Sequence, residues 1–226
     1  MEVKKKSLSS QIYDILKMEI ISQKIPFGSK IVNLNLQERF DVSSSPVRDA
    51  INRLYYDGLI ESIDNKGAIV VNFDKDFYLE VNEILMGITT TAIKLSFAKS
   101  NHKEVSERLG QFIDLQTENV GNDKYYEYDY KFHKTFVEFS QNSRLKKLYN
   151  QYNALHEILL RRYHSYVLKS QKKSIEFHKR MIDSFLNDNL TECVKLNETH
   201  YKQAEIFFKN MFEQNEKFHT NIHIDE

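Results

Sequence analysis

Along the first seventy residues, apolar positions recur at helical spacing and are cut into short pieces by proline, glycine and small polar residues. Leu8, Ile12, Ile15, Leu16 and Ile20 share one face and predict a helix over 7–21, with Ser7 or Ser9 as its cap. Ile25-Pro26-Phe27-Gly28 then turns the chain. A second, short helix is predicted over 33–40, with Leu34, Leu36 and Phe40 facing inward. After the tight turn Asp41-Val42-Ser43, Ser44 or Ser45 is expected to cap a third helix running to Tyr56. Pro46 lies in its first turn, where a missing N–H does no harm. Asp57-Gly58 stops that helix. Leu59 to Ile63 and Ala68 to Val71 read as strands on either side of the turn Asp64-Asn65-Lys66-Gly67.

From Phe77 onward the pattern changes. There is no proline, glycine is scarce, and helical periodicity runs almost throughout. About six helices are predicted, near 77–99, 103–119, 123–140, 143–166, 171–187 and 190–217. Gly121-Asn122, Gln141-Asn142 and Asn187-Asp188-Asn189 are the breaks between them. The expected fold class is mostly α. A winged helix-turn-helix occupies 1–73, because helix, helix, turn, helix, hairpin is its element order. An all-α helical bundle occupies 77–218, after the short polar link Asn72-Phe73-Asp74-Lys75-Asp76. The bundle carries no phosphate loop, dinucleotide fingerprint or nucleophile elbow.

Composition alters this picture little. The 226 residues are 41% hydrophobic and 28% charged, a globular balance with room for two small domains. No apolar run reaches the roughly 18 residues of a membrane span, and the basic start Met1 to Lys6 is not followed by a signal-like apolar stretch. Cys193 is the only cysteine, which excludes an internal disulfide and a thiolate metal cluster and fits a cytoplasmic protein. Net charge is zero. Residues 1–73 hold ten Lys/Arg against nine Asp/Glu, so bulk charge alone does not point to nucleic acid.

Local motifs do. Pro26-Phe27-Gly28-Ser29-Lys30-Ile31, Val42-Ser43-Ser44-Ser45-Pro46-Val47-Arg48-Asp49-Ala50, Arg53-Leu54, Asp57-Gly58-Leu59-Ile60 and Lys66-Gly67 together resemble the DNA-binding domain of the GntR family, in order and with spacing intact. A recognition helix enters the major groove by its N-terminal end. Ser43, Ser44 and Ser45 stand there with small hydroxyls suited to phosphate. Arg48, one turn in, can reach a guanine edge in bidentate fashion. Lys66 and Gly67 at the hairpin tip are expected near the minor groove or its phosphates. The alternatives are a surface ion pair for Arg48 and simple capping for the serines. Two departures stand out: the family often has Arg or Lys where Ser44 sits, and Arg near Leu34.

In the helical region, Asp129 and His133 are four apart and share a helix face. His178 and His200 lie in later helices. Three histidines and a carboxylate meeting in one core would bind a divalent transition metal; otherwise each histidine is separately hydrogen-bonded or exposed. The set Asp129, His133, the run Phe139 to Leu145, His178 and His200 is similar to the FCD ligand-binding domain of the FadR branch, over 77 to about 217. That resemblance implies zinc or nickel held by Asp129, His133, His178 and His200, with waters or a carboxylate effector completing the sphere. It also suggests that Asn142 orders the site from behind. The branch commonly has Arg and Glu where Asn82 and Met86 stand, so Arg161 and Arg162 become candidate effector cations, with solvent exposure as their alternative. His219 and His223, near the C-terminus, are not counted as ligands.

The expected protein is a homodimeric, metal-containing regulator. It would bind a near-palindromic double-stranded DNA operator and a small-molecule effector, with no membrane association. Two rivals remain: a metal-dependent enzyme built on a helical bundle, and a metal-free regulator sensing an acyl ligand.

Overall fold

The structure is a computed structural model that describes residues 6–122, 124–162 and 168–220, apart from the side chains of Glu157 and of 159–162, 168–169 and 214–220. The chain forms two compact units, Met1–Asp74 and Lys75–Glu226.

The first unit runs α1 (Leu8–Ile21), β1 (Lys30–Val32), α2 (Asn33–Phe40), α3 (Ser44–Tyr56), β2 (Ile60–Ile63) and β3 (Gly67–Val70). In α1, Ser7 fills the cap, accepting the Ser10 N–H at 3.2 Å. Ile12, Leu16 and Ile20 of α1 bury against α3, which contributes Val47, Ala50, Ile51 and Leu54. Each such fully buried aliphatic side chain stabilises by about 1.5–3 kcal/mol. In α2 only Leu36 is buried; Leu34 is 60% exposed and Phe40 half-buried, contrary to the periodicity. A two-turn helix has one narrow inward face, and Leu36 alone occupies it.

The strand β1 has no counterpart in the sequence reading. Three residues are too few for a period, and β1 exists because β3 pairs with it. The sheet order is β1-β3-β2, antiparallel throughout, with Lys30 opposite Ile69 and Val32 opposite Gly67. A Cβ on Gly67 would lie 1.9 Å from the Ile31 carbonyl oxygen, so only glycine lets the two strands approach.

The second unit contains α4 (Lys75–Lys99), α5 (His102–Glu118), α6 (Lys124–Phe139), α7 (Ser143–Arg162), α8 (Leu168–Leu186) and α9 (Leu190–Thr220). All six predicted helices are present. Their breaks have a common chemistry. Asn101, Asn142 and Asn189 each accept N–H groups from the first turn of the following helix. Gln141 and Asp188, just before two of these caps, adopt φ of 54° and 57°. The expected role of Asn142 behind a metal site is therefore corrected: its Oδ1 is taken by the Arg144 and Leu145 N–H groups, and it caps α7. Helix α4 packs on α6, α7 and α9, while α5 packs on α6 and α8, and α8 on α9. Phe132, Phe136, Tyr149 and Phe185 fill the centre. No described helix is long and apolar enough to cross a membrane.

Candidate functional site

The first candidate surface is the start of α3. Ser43 is its N-cap, so Ser44 and Ser45 are the first two helical residues rather than caps. Ser43 makes no side-chain cap bond, and the three serines are exposed. Among the described residues nothing caps the first N–H groups of this helix or pairs with the three hydroxyls, an arrangement that suits an anion. Arg48 is exposed and has no carboxylate partner among the described residues, so the ion-pair alternative finds no support. By contrast Arg53, about two and a half turns from the helix start, lies 4.0 Å from the centre of the Tyr13 ring and belongs to the packing of α1 on α3.

At the hairpin tip the two expected residues part company. Asp64 Oδ1 accepts both the Lys66 and the Gly67 N–H, each at 2.7 Å, and Asp64 also pairs with Lys30 at 2.6 Å. Gly67 is buried, with its amide already used. It is a packing residue rather than a contact residue. Lys66 remains exposed, and its side chain has no partner among the described residues.

The second candidate site is in the helical unit. His133 on α6, His178 on α8 and His200 on α9 converge, with one ring nitrogen from each lying within 4.8 Å of the others. Packing sets the rings. Phe132 stacks on His178 at 4.0 Å, and His133 and His200 stack at 5.3 Å. Burial lowers the pKa of all three below the ordinary histidine value, to about 4 for His200, so they are neutral at pH 7 and able to donate lone pairs.

Asp129 is not in this group. Its enclosed carboxylate accepts from Gln116 Nε2 at 2.8 Å, and burial raises its pKa to about 7. Gln116 Oε1 in turn faces His178 Nδ1 at 3.1 Å. Since that oxygen can only accept, His178 carries its proton on Nδ1 and presents a lone pair from Nε2. The expected fourth ligand is therefore one link removed. It orients His178 through an amide.

A metal fits these residues. His178 Nε2 and His133 Nε2 are 3.2 Å apart. Two nitrogens each about 2.0–2.1 Å from one tetrahedral ion stand roughly 3.3 Å from each other. The same contact also serves as a hydrogen bond, with His133 Nε2–H donating to the His178 Nε2 lone pair, and it leaves His133 Nδ1 buried with no partner among the described residues.

Two site residues escaped the sequence reading. Gln116 is fully buried on the core stripe of α5 with Leu109 and Ile113, and a polar residue at such a position was the available signal. His156 on α7 stacks on Tyr78 at 5.6 Å, its Nε2 is unpartnered, and burial lowers it to about 4. Asn82 donates to the Tyr201 carbonyl at 3.2 Å and is buried. Arg161 and Arg162 end α7, and their side chains lie outside the described residues, as do those of His219 and His223.

Residues 8–70 match the family model of the bacterial regulatory proteins, gntR family, and residues 80–203 match that of the FCD domain. The chain is 28% identical over 151 residues to the HTH-type transcriptional regulator YdhC of Bacillus subtilis (strain 168), a stretch covering 64% of this chain and just 66% of that relative. It is 24% identical over 212 residues to the HTH-type transcriptional regulator LutR of the same organism, covering 83% of this chain and 95% of LutR. The solved structure of E. coli McbR/YncC has the same fold, with a TM-score of 0.64 at 18% identity over 92% of this chain and 100% of the other.

Proposed function

Because the chain belongs to the gntR family of bacterial regulatory proteins and carries an FCD domain, we propose that it is a DNA-binding transcription regulator whose operator affinity follows a small organic acid bound at a metal centre. The observation that carries this reading is the meeting of His133, His178 and His200 from three separate helices. Histidines scattered for unrelated reasons do not bring three neutral ring nitrogens within one ion's reach. The family relationship sets the enzyme reading aside, since the relatives are named as transcriptional regulators.

In this reading the three histidines hold zinc or nickel, and Asp129 fixes the His178 ring through Gln116. A bound divalent ion supplies a Lewis-acidic position for a carboxylate oxygen. Ser43, Ser44 and Ser45 engage phosphate, Arg48 reads a base edge in the major groove, and Lys66 reaches the neighbouring backbone. The protein acts as a homodimer, one winged unit on each half of a near-palindromic operator. Effector and DNA then change each other's affinity by the same factor.

Elemental analysis after reconstitution with zinc or nickel tests the centre. The wild type is expected to hold about one ion per chain, and His178→Ala to hold almost none. In gel shifts on an operator fragment, His178→Ala should lose the response to small carboxylic acids while keeping most basal DNA binding. A folded wild type that takes up no metal would remove the centre from the reading. The DNA assignment rests on other residues and would stand.

A further inference from the structure

The tip of the β2–β3 hairpin is built on a carboxylate. The Asp64 N–H donates to the Gly67 carbonyl at 2.9 Å, and Asp64 Oδ1 accepts the Lys66 and Gly67 N–H groups, each at 2.7 Å. The Lys66 carbonyl accepts from the Asn33 N–H at 3.0 Å, so the backbone of Lys66 is held on both sides and its side chain alone is left to move. The carboxylate is held with it. Its other oxygen, Oδ2, meets the Lys30 ammonium at 2.6 Å. Lys30 comes from β1, opposite Ile69 of β3, so the sheet register brings this cation to the tip. The Lys30 ammonium, and then the Lys66 and Gly67 amides, hold the Asp64 carboxyl below the usual carboxylate range, so it is charged at pH 7. Both side chains of the pair are substantially exposed. Exposed ion pairs are weak, and a lysine beside DNA gains by exchanging its carboxylate for a phosphate. The fixed position of Asp64 opposes that exchange. Turning the carboxylate away would give up both amide bonds, and leaving it bare would set it against the phosphates.

We propose that Asp64 is a positioning residue that acts on both lysines of the hairpin: it seats the Lys66 backbone for DNA and withholds Lys30 from it. With Lys30 kept beside Asp64, two lysines and one aspartate present a single net positive charge, that of Lys66. The wing then neutralises one phosphate where its lysines could neutralise two. The restraint is blind to sequence, because phosphate contacts carry no base information. It lowers the hold on all DNA alike and leaves discrimination to α3. This rests on the reading of the hairpin tip as a DNA contact. It adds to that reading a residue that limits affinity and the cation it limits.

Titration of the full-length protein onto a DNA duplex of arbitrary sequence, repeated at several salt concentrations, tests it. Asp64→Asn keeps an oxygen that can accept the Lys66 and Gly67 N–H groups but loses the charge that holds Lys30. It is expected to bind several-fold more tightly than wild type, with a salt slope steeper by about one. In the double variant Asp64→Asn, Lys30→Gln the slope should return to the wild-type value, since the added phosphate contact is Lys30's. Asp64→Ala lacks both charge and acceptor, so it should bind less tightly than Asp64→Asn. The proposal is overturned if Asp64→Asn leaves the slope unchanged, if the double variant keeps the steeper slope, or if the Ala and Asn variants bind alike. Lys66→Ala separates this from the underlying reading. If that variant binds the duplex as wild type does, the hairpin is not a DNA contact. If it binds more weakly while Asp64→Asn changes nothing, the contact stands and the restraint falls.

Discussion

Single residues decide how close elements come and which protons they hold. Gly67 is the clearest case. The sequence suggested a DNA contact at a hairpin tip, but the Ile31 carbonyl 1.9 Å from any added Cβ makes the glycine a condition of strand pairing. Gly67→Ala is expected to destabilise the first unit by about 2–3 kcal/mol through forced strand separation. Chemical denaturation followed by circular dichroism measures this, and a variant as stable as the wild type would refute the packing account. His102 is a second case. Its Nε2 faces the Phe97 carbonyl at 2.8 Å and its Nδ1 faces Asp188. Only the imidazolium can donate to both. The backbone bond to Phe97 and then Asp188 raise its pKa. A raised folded pKa stabilises below the unfolded value, near 6.5, and that contribution fades as pH rises through the folded value. The stability gap between wild type and His102→Ala should therefore be widest below about pH 6 and shrink above it. A gap that widens with rising pH would contradict the assignment. The gap will be modest, because Asp188 is exposed.

At the scale of elements, existence was legible and partnership was not. Each of the six helices of the second unit was readable because sixteen or more residues repeat one apolar face, and asparagine caps mark the starts of α5, α7 and α9. The strand β1 was not legible, since Lys30-Ile31-Val32 becomes a strand only through residues 67–69. The histidine set was legible as spacing, with the family resemblance supplying the meaning. The diversion of Asp129 to Gln116 was not, because it depends on how α5 lies against α6. For α3, position along the helix makes a prediction. Arg48→Ala should cost about 1–3 kcal/mol of specific operator binding and relax base preference. Lys66→Ala should weaken binding to all sequences and lower the salt slope by about one. Binding titrations at several salt concentrations separate the two, and identical effects from both would dissolve the distinction between reading and anchoring.

The whole molecule is two units with separate cores, and the proposed ion ties only one of them. Adding zinc to metal-free protein should therefore slow hydrogen exchange in α6, α8 and α9, which supply the ligands, and leave α1 and α2 nearly unchanged. Uniform protection across both units, or none in α6, would be inconsistent with a centre at these histidines. The sheet order of the first unit bears on the life of the chain during its synthesis. Strand β1 leaves the ribosome early, yet Lys30 meets Ile69 only after α2, α3 and β2 have followed. The loop that holds α3 is thus the last thing closed, across nearly forty residues. A product broken off before Gly67 would have neither a wing nor a sealed sheet behind Arg48. A chain cut anywhere after Val70 and before His133 would carry every element of the first unit and none of the three histidines.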